Sequence, residues 1–291
     1  MTGYYKVAGF TFAVRLGREC NLGVLLPSFS VFVSEREDDR HLLFELVEKE
    51  SWEETQEVEF LEEDDNDLGK TRIYRTATGY RITLRYSDKV HVMEADPEFR
   101  KVSAVLRWDD EYVSVALSSM LRIAFAQSIL MHSAVSVHAS VVVSGGEAVL
   151  FMGRSGTGKS THSRLWLEHV PDTRLLNDDN PIIRIVDGKA VVYGSPWSGK
   201  TPCYLNESAP VAAMVRLAQA PENRFARKSD VEAFSILLPG CSVLRSDRRL
   251  FGAMCETLIE LTEMVCVGEM RCLPDRDAAL VCRENIVKED F

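Results

Sequence analysis

The first part of the chain alternates apolar and polar side chains in short runs, which is the period of a β-strand with one buried face. The clearest runs are Phe10, Phe12, Val14 and Leu16, and later Tyr80, Ile82, Leu84 and Tyr86. Shorter runs predict further strands at residues 30–33, 41–47, 57–61 and 90–93. Residues 1–110 are therefore predicted to form a β-rich N-terminal domain.

An acidic stretch at residues 62–69 interrupts this pattern and has the composition of a calcium-binding loop. If Asp64 is the first ligand, however, Leu68 takes the fifth position and Arg75 the twelfth, where oxygen ligands are required. We therefore predict a solvated loop here rather than a metal site.

From residue 111 the pattern changes to a mixture of helices and strands. The apolar run over residues 112–131 predicts one long helix, and its polar members, such as Arg122 and Gln127, favour a buried helix over a membrane span. Paired apolar runs around Gly145-Gly146 and Asp187-Gly188 predict two β-hairpins. Residues 111–291 are predicted to form an α/β domain with a mixed, largely antiparallel sheet.

The C-terminal part is predicted to be more helical. Ser229 and Glu232 have the spacing of a capping box at the start of one helix, which ends near Pro239. The buried stripe of another helix is marked by Leu250, Met254, Leu258 and Leu261.

The strongest functional signal is a glycine-rich stretch that matches G-x-x-x-x-G-K-[ST], between an apolar strand at residues 148–152 and a helix at residues 161–169. In such a P-loop, or Walker A motif, backbone N–H groups and the helix N-terminus surround phosphate oxygens. Lys159 is expected to reach the terminal phosphates, and Ser160 to hold Mg²⁺. We expect ATP or another nucleoside triphosphate, with Mg²⁺, to be bound by Gly153, Arg154, Ser155, Gly156, Thr157, Gly158, Lys159, Ser160 and Thr161.

Paired carboxylates, Asp178 and Asp179, follow the loop at the end of a predicted strand. Phosphoryl transfer needs one group to hold Mg²⁺ and one to accept the proton of the attacking hydroxyl. We assign the proton to Asp178, and the metal to Asp179 together with Ser160, although the spacing leaves the reverse assignment open. His138, on the strand before the loop, is either a packed core residue or a site residue, and His162 is predicted to pack or to lie on the helix surface.

Residues 194–201 match the same motif, but we do not predict a second phosphate loop there. Pro196 removes an N–H group from the would-be cradle, and Pro202 lies where a helix would have to begin. The functional interpretation is an ordered loop that carries Lys200, and with it Trp197, toward the transferred phosphate or the acceptor. A surface turn is the alternative.

Composition narrows the classes of function. The net charge of -10 argues against a nucleic-acid partner, which would require a basic face. The N-terminus lacks the layout of a signal peptide, and the 7 cysteines include no C-x-x-C pair, which favours reduced thiols over zinc or disulfides. We therefore expect a cytoplasmic protein with neither a nucleic-acid nor a membrane partner.

Residues from about 130 to 206 together resemble the catalytic domain of HPr kinase/phosphorylase, whose P-loop fold is shared with ATP-dependent phosphoenolpyruvate carboxykinases. The resemblance lies in the glycine-rich loop, in His138-Ala139-Ser140 before it, in Asp178-Asp179 and in residues 196–200. It implies that His138 lies at the active site, that Lys159 and Ser160 bind phosphate and Mg²⁺, and that the aspartate pair supplies a base and a metal contact. It also implies a homo-oligomer.

Two features differ from that family. Thr161 stands where HPr kinases usually carry an acidic residue, and their glycine-rich C-terminal signature for binding HPr is absent from this sequence. The acceptor is therefore expected to be another hydroxyl group, on a protein, a peptide or a small molecule.

The function predicted from the sequence is that of an HPr-kinase-like, ATP- and Mg²⁺-dependent kinase, a transferase in which His138 and Lys200 stabilise charge on the transferring group. A nucleotide-sensing protein without turnover is one alternative. A carboxykinase-like enzyme is another, although those enzymes are much longer than this chain.

Overall fold

The computed structural model describes residues 1–52, 58–66, 69–199 and 201–286. The chain forms two compact units, Met1–Ile129 and Leu130–Phe291, which are described separately below.

The division lies later than the boundary near residue 110 that the sequence suggested. The long helix Val113–Ser128 belongs to the N-terminal unit. Phe125 of this helix packs against Phe10 and Phe12, with ring centroids 6.2 and 5.8 Å away. Those aromatic contacts tie the helix to the first strands of the chain.

In its described residues, the N-terminal unit contains eight strands, two α-helices and short 3-10 helices. Its strands are β1 (Thr2–Val7), β2 (Phe10–Arg15), β3 (Glu45–Glu48), β4 (Glu59–Asn66), β5 (Gly69–Thr76), β6 (Gly79–Arg85), β7 (His91–Ala95) and β8 (Lys101–Val105). The α-helices are α1 (Leu22–Leu25) and α2 (Val113–Ser128), and 3-10 helices span Pro27–Phe32 and Asp39–His41.

These strands form one mixed sheet in the order β1-β2-β3-β8-β7-β6-β5-β4. Parallel pairing is found between β2 and β3 and between β3 and β8. Phe12 of β2 stacks on Phe44 with ring centroids 4.8 Å apart. Its neighbours Thr11 and Ala13 are also buried, so the prediction of one buried face is wrong for this strand, which is covered on both sides.

Two local predictions in this unit are wrong. Residues 30–32 lie in a 3-10 helix rather than a strand, because a turn that begins at Pro27 buries Phe29 and Phe32. Val33 forms only an isolated bridge with Tyr5. The acidic stretch is mostly strand rather than loop, since Glu63 of β4 forms cross-strand ion pairs with Lys70 and Arg72 of β5. Residues 67 and 68 of that stretch lie outside the described part of the chain.

Over the part of the C-terminal unit that the structure describes, nine strands combine with four α-helices and short 3-10 helices. Its strands are β9 (Ala134–Ser136), β10 (Ala139–Ser144), β11 (Glu147–Met152), β12 (Thr173–Asp179), β13 (Ile182–Val186), β14 (Lys189–Tyr193), β15 (Ser208–Gln219), β16 (Arg224–Lys228) and β17 (Cys266–Cys272). Its α-helices are α3 (Lys159–His169), α4 (Asp230–Leu237), α5 (Arg248–Met264) and α6 (Arg276–Ile286); one 3-10 helix spans Leu238–Gly240.

The C-terminal sheet is also mixed, and the expected α/β character is confirmed. It runs β12-β10-β11-β15-β14-β13-β9, with β17 paired to β15 and β16 paired to β17. Both predicted hairpins form, as β10–β11 and β13–β14. The long strand β15 was not predicted; it lies parallel to β11 on the side opposite β10.

The apolar run over residues 135–143, which forms the first arm of the hairpin predicted around Gly145-Gly146, is interrupted in the structure. β9 ends at Ser136 and β10 starts at Ala139, and the N–H group of His138 donates to the carbonyl of Gly240 at 2.7 Å. Because of this interruption, His138 lies directly before the first residue of β10 rather than inside a continuous strand.

Helix α3 is fixed to the sheet by a large apolar core. Phe151 of β11 lies against Trp166 of α3 with ring centroids 5.5 Å apart, and both side chains are fully buried. The same core includes Val215 of β15 and Ala278 of α6. The segment between β11 and α3 is therefore held at both ends by rigid elements.

One helical stretch, Val113–His132, is long and apolar enough to cross a membrane by length and composition. In the structure 67% of its most apolar window is buried inside the protein. Such burial is what the core helix of a soluble protein shows, in agreement with the buried helix predicted from the sequence.

Two neighbouring residues of α5 test the packing of the C-terminal unit. Leu258 is fully buried and Ile259 is 52% exposed. We expect Leu258→Ala to lower the free energy of unfolding by about 2–5 kcal/mol because it leaves a cavity. Ile259→Ala should cost less than about 1 kcal/mol. Urea unfolding of both variants measures the difference, and equal losses would contradict this packing.

Candidate functional site

The glycine-rich segment forms a tight loop between the end of β11 and the start of α3. Gly153, Gly156 and Gly158 all have positive φ angles, of 151°, 81° and 100°. A Cβ atom at Gly153 would lie 2.5 Å from Thr157 Oγ1, whereas Cβ atoms at Gly156 and Gly158 would meet nothing within 4 Å. The glycines therefore permit the backbone path and leave space beside the loop.

The N-terminus of α3 lies directly behind this space. Gly158 is the N-cap residue and offers no side-chain hydrogen bond to the first turn. The first N–H groups of a helix have no intrahelical partner, and the helix dipole adds partial positive charge. The loop thus has the backbone arrangement that binds anions. Arg154 and Ser155 are exposed at its tip.

Lys159, His138 and Asp179 form a chain of polar contacts beside the loop. Lys159 Nζ lies 2.8 Å from His138 Nε2 and donates to the Gly153 carbonyl at 3.1 Å. His138 Nδ1 lies 2.9 Å from Asp179 Oδ1. Because the ammonium group can only donate, Nε2 accepts from Lys159 and Nδ1 carries the hydrogen that is donated to Asp179. The contacts therefore fix the tautomer of a neutral His138.

Ser160 and Asp178 form a second pair on the same side. Ser160 Oγ lies 3.1 and 3.2 Å from the two carboxylate oxygens of Asp178. The structure therefore brings Ser160 to Asp178 and His138 to Asp179. Our sequence-based assignment grouped Ser160 with Asp179 at the metal, and this geometry favours the reverse division.

Strand pairing explains why these groups meet. In the register of the sheet, Ala139 of β10 lies opposite both Met152 of β11 and Asp179 of β12. The residue before Ala139 is His138, and the residue after Met152 begins the loop. Groups from three separate chain segments thus lie at one end of adjacent strands.

Asn177 holds the aspartate pair in place, and sequence analysis did not identify its role. Its side chain is fully buried, and Oδ1 accepts from the N–H groups of Asp179 and Asn180 at 3.2 and 3.0 Å. Its amide nitrogen lies 3.3 Å from Ser195 Oγ and from the Trp197 carbonyl. The sequence Asn-Asp-Asp-Asn is typical of a turn in which the first side chain accepts from the following N–H groups, so it could have indicated the Oδ1 bonds. It gives no indication of the bonds from the amide nitrogen to residues 195 and 197.

The segment that repeats the loop motif packs beside β12 instead of forming a second cradle. Gly199 N–H donates to the Asp178 carbonyl at 2.6 Å, and a Cβ atom at Gly199 would come within 2.8 Å of that oxygen. No helix follows in the described residues 201–207. Trp197 is buried rather than directed to an acceptor, and Lys200 lies outside the described residues.

The pKa of Lys159 is subject to two opposing effects, burial and the nearby carboxylates. Burial lowers the pKa of Lys159 from its usual value, while the carboxylates of Asp179 and Asp178 act in the opposite direction. An ammonium group drawn from water in this way gains strongly from a nearby anion.

The residues present fit Mg²⁺ that is bound together with phosphate. Ser160 and Asp178 offer a hydroxyl and a carboxylate, and Mg²⁺ sites commonly use one or two protein oxygens completed by phosphates and water. Within the described ranges, no group of three or more His, Cys, Asp and Glu side chains is arranged to hold a metal by itself.

His162 belongs to the core and not to the reacting groups. It is 2% exposed, accepts a hydrogen bond from Trp166 Nε1 at 3.3 Å and meets Phe151 edge-on. Burial lowers its pKa to about 4, so the imidazole is neutral at pH 7. Of the two placements that the sequence left open for His162, packing or the helix surface, the structure shows packing.

Comparisons with known proteins add little to this geometry. No protein-family profile matches the chain, and no curated protein matches it. Among solved structures, the chain is similar to the Hpr(Ser) kinase/phosphatase from Coxiella burnetii, with 12% sequence identity and a TM-score of 0.31, over 52% of this chain and 89% of that one. This is a weak likeness of fold.

The buried His162 predicts loss of stability in mild acid. The folded pKa of about 4 lies below the unfolded value near 6.5, so between these pH values the unfolded chain binds a proton that the folded chain does not. Stability should fall by up to about 3 kcal/mol as the pH drops through that window. His162→Gln keeps an acceptor for Trp166 and should flatten the dependence in urea titrations at each pH. An unchanged slope would contradict this origin.

Asn177→Leu keeps the side-chain volume and removes every hydrogen bond made by the amide. The N–H groups of Asp179 and Asn180 would then be left without this acceptor in a buried turn, and we expect a loss of at least about 2 kcal/mol in unfolding free energy. Asn285→Leu, at an exposed position of α6, is the control and should cost under about 0.5 kcal/mol. Equal midpoints in urea would show that Asn177 does not hold the turn.

Proposed function

We propose that the protein is an ATP- and Mg²⁺-dependent phosphotransferase, a kinase that transfers a phosphoryl group to a hydroxyl group of a protein, peptide or small molecule. The observation that carries this proposal is the convergence of two sets of polar contacts, one of three residues and one of two, on one glycine-rich loop. Lys159–His138–Asp179 and Ser160–Asp178 both lie where the loop meets the end of β12. Together they supply the groups that phosphoryl transfer requires.

The loop and Lys159 would hold the phosphates. The first N–H groups of α3 have no intrahelical partner, and Cβ atoms at Gly156 and Gly158 would meet nothing within 4 Å, so there is room for phosphate oxygens beside the loop. Lys159 leans across the loop to the Gly153 carbonyl and to His138. A terminal phosphate is a stronger partner than either, so Lys159 would turn toward it.

Ser160 and Asp178 would hold Mg²⁺, which neutralises charge on the phosphoryl oxygens when it is bound. Their contact already places a hydroxyl oxygen and a carboxylate side by side. A loop serine paired with an aspartate at a strand end is the metal-binding arrangement of P-loop enzymes.

His138 and Asp179 would take the proton of the acceptor. Once Lys159 turns to phosphate, His138 Nε2 is free to accept the hydroxyl proton, and Asp179 stabilises the resulting imidazolium through Nδ1. The acceptor oxygen bonds to the terminal phosphorus as the bond to the bridging oxygen breaks, and a nucleoside diphosphate leaves. Lys200 stays a predicted contact to the transferring group.

Substitution of each aspartate separates the two roles. We expect Asp179→Asn to lower transfer by about 10²–10⁴-fold with little change in ATP binding, because it removes the partner of the proton acceptor. Asp178→Asn should instead raise the Mg²⁺ concentration needed for half-maximal transfer. The measurement is transfer of labelled γ-phosphate to components of a cell lysate across a Mg²⁺ titration.

Two further variants serve as controls for the transfer measurement. Asp172→Asn changes an exposed carboxylate outside the site and should behave as the wild type, whereas Lys159→Ala should lose ATP binding. If the wild-type protein binds ATP and neither hydrolyses nor transfers it, the kinase proposal fails and a nucleotide sensor takes its place.

A further inference from the structure

A cavity of 900 Å³ lies on one face of the N-terminal sheet, and the proposed phosphoryl transfer uses none of the residues that line it. Tyr74 of β5, Arg81 and Thr83 of β6, and Val92 of β7 line it from the sheet. Strand pairing brings them together, because Arg81 lies opposite Tyr74 and Thr83 lies opposite Val92. The volume falls within the roughly 300–1,000 Å³ that small-molecule sites occupy. We call this cavity the N-terminal pocket.

Part of the lining suits a flat apolar group. Trp52 and Tyr74 contribute aromatic side chains, and Val58 and Val92 contribute apolar ones. Trp52 and Tyr74 are both half-buried, so each keeps some accessible surface. Aromatic side chains of this kind pack favourably against a planar ligand.

Two of the cations in the lining already have carboxylate partners. Arg81 is almost fully buried, and its Nε and Nη2 donate to Glu94 Oε1 at 3.0 and 2.7 Å. Lys89 Nζ lies 2.6 Å from Asp109 Oδ2. Each of these charges is neutralised within the protein, so neither requires a ligand.

Arg107 is the lining cation that has no carboxylate oxygen within 4 Å among the described residues. Its guanidinium lies 5.7 Å from the centre of the Trp52 ring, a contact that holds the side chain but supplies no negative charge. Its backbone N–H donates to His91 Nδ1 at 3.2 Å, and His91 Nε2 lies 3.0 Å from Asp110 Oδ2. His91 and Asp110 are buried, so the position of Arg107 is fixed from below the pocket.

Asp88 also lines the pocket, and in the part of the chain that the structure describes its carboxylate has neither an ion pair nor a hydrogen bond. It is exposed to solvent and lacks the ring contact that holds Arg107. Binding to a side chain that is not held in place costs conformational entropy. An anion therefore gains more at Arg107 than a cation gains at Asp88.

We propose that the N-terminal pocket binds a small organic anion, in which a carboxylate is attached to a planar apolar body. The carboxylate would accept hydrogen bonds from Arg107, because two N–H groups of a guanidinium match the two carboxylate oxygens. The apolar body would pack against the aromatic side chains of the lining, and the Thr83 hydroxyl would offer a further hydrogen bond. This inference does not rest on the proposed phosphoryl transfer.

Two probes with the same ring system test the proposal: naphthoate carries a carboxylate, and naphthamide is its uncharged amide. In isothermal titration calorimetry the full chain should bind naphthoate roughly tenfold more tightly than naphthamide. Arg107→Gln removes the charge and keeps the backbone bond to His91, so it should weaken naphthoate binding roughly tenfold and change naphthamide binding by no more than about twofold. Trp52→Ser should weaken the binding of both probes.

Arg85→Gln is the matched control, because it removes the same charge from an exposed position of β6 that does not line the pocket. It should bind both probes as the wild type does. Lys159→Ala should also leave both Kd values unchanged, which separates this pocket from the glycine-rich loop.

Three outcomes would overturn the N-terminal pocket as an anion site. They are equal affinity of the wild type for the two probes, no binding of either probe at millimolar concentration, and a preference for naphthoate that persists in Arg107→Gln. Loss of naphthoate binding in Lys159→Ala would assign the probe to the loop and would overturn the pocket as well. The phosphotransferase proposal stands or falls separately, on the transfer measurement.

Discussion

Backbone hydrogen bonding of β10 to two neighbours at once sets the geometry of the candidate site. Ala139 lies level with Met152 on one side and with Asp179 on the other, so the start of β10 lies beside the ends of β11 and β12. Adjacent strands lie only about 5 Å apart, which brings the start of the loop, His138 and the aspartates within reach of one another. The polar contacts of the site follow from this register, and a shift by one residue would turn Asp179 to the other face.

The same arrangement creates an electrostatic problem that the surrounding residues resolve. Two adjacent carboxylates, one of them buried, would repel each other if they stood alone. Asp178 is instead bonded to Ser160, and Asp179 to His138 and Asn180. Asn177 holds the turn by accepting hydrogen bonds from the backbone N–H groups of Asp179 and Asn180, which do not titrate. The aspartate pair is thus held in one geometry by partners within the protein.

The loop separates two environments of opposite character. On one side are Lys159, His138 and the carboxylates, and on the other is an uncharged, largely apolar cavity. The core beneath the loop, formed around Phe151 and Trp166, keeps the two environments at a fixed distance.

The sequence alone determined the local elements of the C-terminal unit. The glycine pattern around Lys159, both hairpins and the stripe that includes Leu258 are encoded by residues near one another in the chain, so periodicity and turn chemistry identify them. Residues 30–33 and the acidic strand β4 were misassigned because a proline turn and cross-strand ion pairs overrode local pattern.

Only the tertiary structure decided which side chains meet. The pairing of Ser160 with Asp178 and of His138 with Asp179 depends on strand register, and the support that Asn177 gives comes partly from residues 195–197. Strand β15 pairs with β11 across a large separation in sequence. Such contacts leave no periodic trace in the chain, because they arise from the packing of distant segments and not from the order of neighbouring residues.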